Sequence, residues 1–317
     1  MPGTDPREAV AVALDAVPDL PFLPELPARG PGADMLGRAA ALLEGLHVDL
    51  QPSGWRLVDR PGRDERRARS FLDEDLDALE ERAAGYDGPV KLAVAGPWTL
   101  AAALRLTRGE AALSDHGARR DLVDSLAEGL GAHLRDVARR LPAARLVVQL
   151  DEPSLPNVLA GRVRTFSGYR TLAAVEAAEA QGALSRLVGA LDAPVVVHCC
   201  AADVPVALLR AAGAAGISLD LRLAGERLDD PLGETLEAGG LLLAGVVPVT
   251  GGLSDPAATV EPVRRLWRRL GLAPELASRQ VVVTPTCGLA GATPDQARAA
   301  LRRAAQAAQV LVDDPEG

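Results

Sequence analysis

The sequence predicts an α/β protein of the (β/α)8-barrel class, and three observations carry that expectation. Short runs rich in Val, Leu and Ile alternate with Ala-, Leu-, Arg- and Glu-rich stretches of helical spacing, the pattern of parallel strands joined by crossover helices. Polar and metal-binding residue types sit where the apolar runs end, at Asp151, His198, Cys200, Asp220 and Cys287. Barrel active sites lie at that C-terminal face of the strands. Finally, no linker interrupts the chain, so residues 1–317 read as one barrel domain.

Taken in order, Met1-Pro2-Gly3-Thr4-Asp5-Pro6 reads as a loop and then a helix start. Residues 18–31 carry Pro18, Pro21, Pro24, Pro27 and Pro31, which fits an ordered irregular loop or flap and excludes a helix. Ser53-Gly54 separates Val48-Asp49-Leu50 from Trp55-Arg56-Leu57-Val58, a small hairpin inserted near 46–60. Arg60 to Arg69 reads as a charged, solvated connector. Candidate strands cover 46–51, 91–96, 145–150, 193–199, 215–221, 241–247 and 280–286, and helical spacing covers 70–84, 117–140, 171–190, 202–212 and 256–270. The last helix opens on Thr293-Pro294-Asp295-Gln296, an N-cap, a first-turn proline and a Gln three residues after the cap, and runs to about residue 312. Seven strands are one short of a closed barrel. The missing one belongs before residue 10, so the first strand is incomplete or absent and the barrel is expected to be open near residues 1–10.

Composition excludes several function classes. The chain is 48% hydrophobic, only 3% aromatic, and carries a net charge of −9. That balance argues against nucleic acid or an anionic membrane as partner, since both reward clustered Lys and Arg. No apolar stretch approaches the ~20 residues of a membrane helix, and the N-terminus lacks a secretory pattern. Three cysteines, two of them adjacent, do not make a disulfide framework; a reducing, cytoplasmic setting is expected. Lys91 is the sole lysine among 34 Lys and Arg residues, a bias consistent with genomic base composition.

The most informative motif is His198-Cys199-Cys200 at the end of Ala193-Pro194-Val195-Val196-Val197. Residues 198 and 200 point the same way on a strand, so an imidazole and a thiol face one point, while Cys199 turns toward the helix layer. Cys287 ends a second apolar run and Asp220 a third. Two thiols, an imidazole and a carboxylate are donors that suit Zn2+. Gly239-Gly240 and Gly251-Gly252 lack phosphate-loop spacing, and the hydrolase Gly-x-Ser-x-Gly pattern is absent. His47, His116 and His133 read as surface residues. Trp98 is either a packing residue at the barrel mouth, the reading its size favours, or a platform for a flat ligand. Glu152 reads as an anchor for a loop start.

Asp151-Glu152-Pro153, His198-x-Cys200, Ile217-Ser218-Leu219-Asp220 and Cys287-Gly288-Leu289 resemble, in order and rough spacing, the catalytic barrel of the cobalamin-independent methionine synthase family. The resemblance covers residues 90–317, and the first 90 loosely. It implies zinc held by His198, Cys200 and Cys287, with Asp220 where the family has Glu. It further implies that Asp151 is the catalytic-site residue holding the substrate's amino group. Glu25 on the flap would replace a substrate-binding Glu of the family. Homocysteine or another small thiol would then be the methyl acceptor, and a folate or a methylcorrinoid protein the donor. The family's first-strand Ile-Gly-Ser-Phe-Pro segment would fall just before Met1, and no second, N-terminal barrel accompanies this one. Two other readings stay open: a porphyrinogen decarboxylase-like enzyme using rim arginines and an aspartate, and a non-catalytic homologue that binds zinc or thiols.

Overall fold

A computed structural model describes residues 1–316. Its centre is a curled, six-stranded parallel sheet whose spatial order is its order in sequence: β3 (Pro89–Ala95), β4 (Arg145–Asp151), β5 (Val195–Cys199), β6 (Gly216–Asp220), β7 (Leu241–Val247) and β8 (Val281–Pro285). β1 (His47–Gln51) and β2 (Gly54–Val58) form a separate antiparallel hairpin. The result is a half-barrel, an incomplete (β/α)8 barrel. One expected barrel strand, 46–51, is therefore corrected: it belongs wholly to the hairpin.

Helices are interleaved: α1 (Pro6–Ala16), α2 (Met35–Ala41), α3 (Arg63–Arg82), α4 (Pro97–Ala103), α5 (His116–Arg140), α6 (Leu155–Leu159), α7 (Ala177–Gly189), α8 (Val206–Ala211), α9 (Asp229–Glu237), α10 (Pro256–Leu270), α11 (Pro274–Gln280) and α12 (Pro294–Asp313). Period-two alternation sends Val90, Leu92 and Val94 of β3, and Val195, Val197 and Cys199 of β5, under the helices, where each is at most 4% exposed. Lys91, Gln149 and His198 take the opposite, inner face and are partly buried. α12 has the capping box its sequence announces: Thr293 Oγ1 accepts from Gln296 N at 3.2 Å, and Gln296 Oε1 accepts from Thr293 N at 2.9 Å. The Arg60–Arg69 stretch is also corrected, since residues 63–69 are the first two turns of α3. Acidic Asp64 and Glu65 in that first turn complement the helix dipole.

The proline-rich segment supplies what the sheet lacks on its β3 edge. Phe22 makes a parallel bridge to Lys91: Lys91 N donates to Pro21 O at 2.9 Å and Leu23 N to Lys91 O at 3.0 Å. Pro21 and Pro24 cannot donate, which is why pairing stops after so short a run. Beyond it, Arg29 and Arg38 both pair with Asp75 of α3, and Arg38 donates to Pro24 O at 2.9 Å. Asp75 and Arg38 are buried, so the segment is pinned by a desolvated ion cluster.

α5 crosses the hairpin side so closely that a Cβ on Gly129 would lie 1.6 Å from Leu42 O. Gly129→Ala is therefore expected to lower unfolding free energy by about 3 kcal/mol through forced separation of α5 from residues 42–44. Urea unfolding compared with Gly131→Ala, whose Cβ would meet only the tip of Arg135 at 3.5 Å, checks it.

Candidate functional site

Register assembles the site. Ala95 on β3 pairs with Asp151, Asp151 with His198, and His198 with Ser218, so these residues share one face in one row near the strand ends. Cys200 and Cys287 follow one or two residues beyond β5 and β8, where the backbone has left the sheet.

His198, Cys200 and Cys287 meet. Cys287 accepts hydrogen bonds from Cys200 and His198, which hold its thiol well below the usual range. Cys200 is pushed up because it donates to Cys287 and is desolvated. Ser218 Oγ lies 2.9 Å from His198 Nδ1 and orients the ring, so that Nε2 is the nitrogen open to a metal. Cys199 is fully buried and its thiol is pushed up to about 11 by desolvation, as its orientation toward the helices requires.

Asp220 does not join this group. Its carboxylate takes the Arg222 side chain in two contacts, Nε to Oδ1 at 3.0 Å and Nη2 to Oδ2 at 2.8 Å, plus Arg222 N at 3.0 Å. Among the described residues no set of three or more His, Cys, Asp or Glu side chains stands in ligating geometry. In kind, however, two sulfurs and an imidazole nitrogen are a zinc donor set.

Asp151 is 8% exposed, and burial raises its pKa against the pull of His198, Gln149 and Lys91. Gln149 Nε2 donates to Asp151 Oδ1 at 2.7 Å, and Lys91 Nζ donates to Gln149 Oε1 at 2.7 Å. Glu25 comes close enough for Asp151 to raise its pKa further; burial carries it up to about 7 despite Arg38. Its Oε1 is buried without a hydrogen bond.

Three other residues take structural places. Trp98 is 1% exposed with its indole N–H on Ala180 O at 3.3 Å, so no ring face is open to a ligand. Glu152 is 0% exposed and caps α4, accepting from Trp98 N, Thr99 N and Thr99 Oγ1 at 2.9, 2.8 and 2.9 Å. His133, expected at the surface, is 7% exposed, and burial lowers its pKa to about 4. Its place on the inner stripe of α5, three residues after Leu130, is a helical-period signal that composition alone conceals.

Gln149, Lys91 and Ser218 were not singled out from the sequence. The available signal was period two: Gln149 precedes Asp151 by two, Ser218 precedes Asp220 by two, and Lys91 interrupts an apolar strand at an inward position.

The structure resembles a B12-independent methionine synthase from Shewanella sp. W3-18-1 solved with selenomethionine, at TM-score 0.63 and 12% identity, over 98% of this chain and 88% of that one. It also resembles a methyltransferase from Methanosarcina mazei, at TM-score 0.60 and 14% identity, over 96% and 86% of the two chains. At such identities the likeness concerns the fold. None of the curated proteins compared matches the sequence. The family model described as "Cobalamin-independent synthase, Catalytic domain" matches residues 84–310, which takes in both cysteine-bearing strand ends and Asp151. The chain belongs to the cobalamin-independent synthase catalytic-domain family.

Proposed function

We propose that the protein is a zinc-dependent methyltransferase acting on a small thiol, with homocysteine, giving methionine, as the acceptor. One observation carries the reading: at the ends of β5 and β8 Cys287 accepts from both His198 and Cys200, with the buried carboxylate of Asp151 on the strand next to His198. A metal donor set beside a buried anion suits a substrate that has a thiol and an ammonium on one short chain. Family membership and the fold of its neighbours support methyl transfer as the class of reaction.

Within this reading His198, Cys200 and Cys287 hold the zinc. Asp220 would be available as a further donor only with its ion pair to Arg222 broken. Bound zinc would lower the pKa of a substrate thiol from ~8.5, so that a thiolate forms at neutral pH without a general base. Asp151 accepts from the substrate ammonium, and Glu25 faces the same charge from the flap. The sulfur pair attacks the donor's methyl carbon. A carbon–sulfur bond forms as the methyl bond to folate nitrogen, or to corrinoid cobalt, breaks with its electron pair staying on the donor; the proton lost by the thiol is matched by one taken up at the folate nitrogen, or remains in solvent when the donor is a corrinoid.

Zinc-edge absorption with and without homocysteine, followed by transfer assays from methyltetrahydrofolate and methylcobalamin, tests the reading. Homocysteine is expected to add a sulfur neighbour to the metal, and methionine, which has no ionisable thiol, to add none. An unchanged metal environment at saturating homocysteine would leave a non-catalytic homologue as the better description.

A further inference from the structure

The inner face of β3 and β4 carries a charged side chain that the methyl-transfer chemistry does not call for. Lys91 is the only lysine in the chain, in a protein whose other cationic side chains are all arginine. It points into the sheet's inner face rather than to the surface, where lysines ordinarily sit. Its Nζ contacts Gln149 Oε1 at 2.7 Å, and Gln149 Nε2 contacts Asp151 Oδ1 at 2.7 Å.

We propose that Lys91 is a positioning residue for the amino-acid site: acting through Gln149, it commits one oxygen of Asp151 and leaves the other turned to an incoming ammonium. The inference rests on the reading of Asp151 as the group that holds the substrate's amino group. Its direction follows from donor and acceptor chemistry. An ammonium can only donate, so the amide must present its oxygen to Lys91. The amide NH2 is then forced toward Asp151, which as a carboxylate can only accept. The amide cannot flip without setting donor against donor at one end and acceptor against acceptor at the other. Oδ1 is thereby occupied, and among the described residues no hydrogen bond is made to Oδ2.

Charge points the same way. Asp151 and Glu25 are two desolvated carboxylates near each other, and the Lys91 ammonium acts on both. Burial lowers the Lys91 pKa, and Asp151 and Glu25 oppose that shift. An arginine would bring five donors in a planar fork to a place that offers one amide oxygen. The backbone of residue 91 separately ties the Glu25 segment to the sheet, through Lys91 N to Pro21 O and Leu23 N to Lys91 O. Those bonds survive any side-chain change except proline, so substitutions at 91 keep the backbone tie and alter only the ammonium's contacts, with Gln149 and, at 5.5 Å, with the Phe22 ring.

The single lysine makes a direct test available. Protein labelled with 13C at lysine Cε gives one side-chain signal, that of Lys91. This signal is expected to shift in Asp151→Asn and in Gln149→Met, and to shift in the wild type when L-homocysteine or L-methionine is added. Calorimetry is expected to show Lys91→Met weakening L-homocysteine binding by roughly 10- to 100-fold, the range for losing the partner that orients a contacting group. Lys91→Arg should fail to restore it. Weakened binding in Asp151→Asn together with wild-type affinity in Lys91→Met would overturn the positioning role while leaving the Asp151 reading intact. Wild-type affinity in Asp151→Asn would instead overturn that reading. A Lys91 signal unmoved by Asp151→Asn excludes the relay whatever the affinities are, and that measurement uses a protein that keeps its lysine even if Lys91→Met fails to fold.

Discussion

Cys287→Ser is expected to abolish both metal retention and methyl transfer. Loss of an orienting partner alone lowers metal affinity roughly 10- to 100-fold, and loss of a donor atom should reach at least the upper end of that range. Cys287 is exposed at the end of β8, so unfolding free energy measured on metal-free protein should move by no more than about 1 kcal/mol, the scale of one net hydrogen bond. The neighbouring cysteines offer an internal contrast. Cys200→Ser should lose metal as Cys287→Ser does. Cys199→Ser should keep its metal and lose stability instead, because its hydroxyl would be buried among the helices in place of a thiol. Elemental analysis of the three variants, beside urea unfolding, reads both effects. Wild-type metal content in Cys287→Ser would remove zinc from the proposed function.

Glu152→Ala is expected to give the largest stability loss of any single substitution near the site, about 4 kcal/mol. It strands three buried donors, Trp98 N, Thr99 N and Thr99 Oγ1, each worth roughly 1–3 kcal/mol when unpaired. It also empties the space under Gly96, where a Cβ would stand only 2.4 Å from Glu152 Oε1. Amino-acid binding should fall with it, since Gly96 N donates to Asp151 O and Glu152 N to His198 O, linking the cap to the site's backbone. The same carboxyl governs part of the pH dependence. Desolvation raises its pKa from 4.5 to about 7, against three donors that lower it. Between those values the folded chain keeps a proton that the unfolded chain has released. The group's contribution is therefore full below pH 4.5 and declines as pH rises through about 7, by up to ~3 kcal/mol. Urea midpoints measured across that range should show the decline in the wild type, and Glu152→Gln should lack this component.

Sequence made the chemistry more legible than the geometry around it. His198 and Cys200 could be placed together because a strand has a fixed period of two, and Cys287 because parallel strands end at one rim. Asp220 could be placed at that rim as well, but its partner could not be foreseen. Arg222, two residues on, lies past the strand end, where the chain turns into a 3-10 segment and the alternation rule no longer applies. The hairpin was legible from Ser53-Gly54, yet its first arm also looked like a barrel strand, since one buried and four half-buried residues have one appearance in either setting. Residues 21–23 showed the reverse ambiguity: their prolines suppress a strand signal although the positions between them pair with β3. Lys91 looked like a remnant of base composition until the register put it below Gln149 and Asp151.

The agreement between spatial and sequential strand order bears on how the chain reaches this state. Every neighbour pair in the large sheet, from β3·β4 to β7·β8, joins consecutive segments linked by their own helices, and only the Phe22 bridge to Lys91 waits for a more distant part of the polypeptide. Loop-closure entropy is met in small instalments, and assembly can spread outward from any βαβ unit that forms first. β4 to β7 have a strand on both sides, whereas β8 has one only, and β3 has one strand and the single Phe22 bridge, so Cys287 follows an edge strand of the sheet. The thiol contributed by β8 thus reaches His198 and Cys200 from an edge of the sheet, held there by β7 on one side and by α12 across its face.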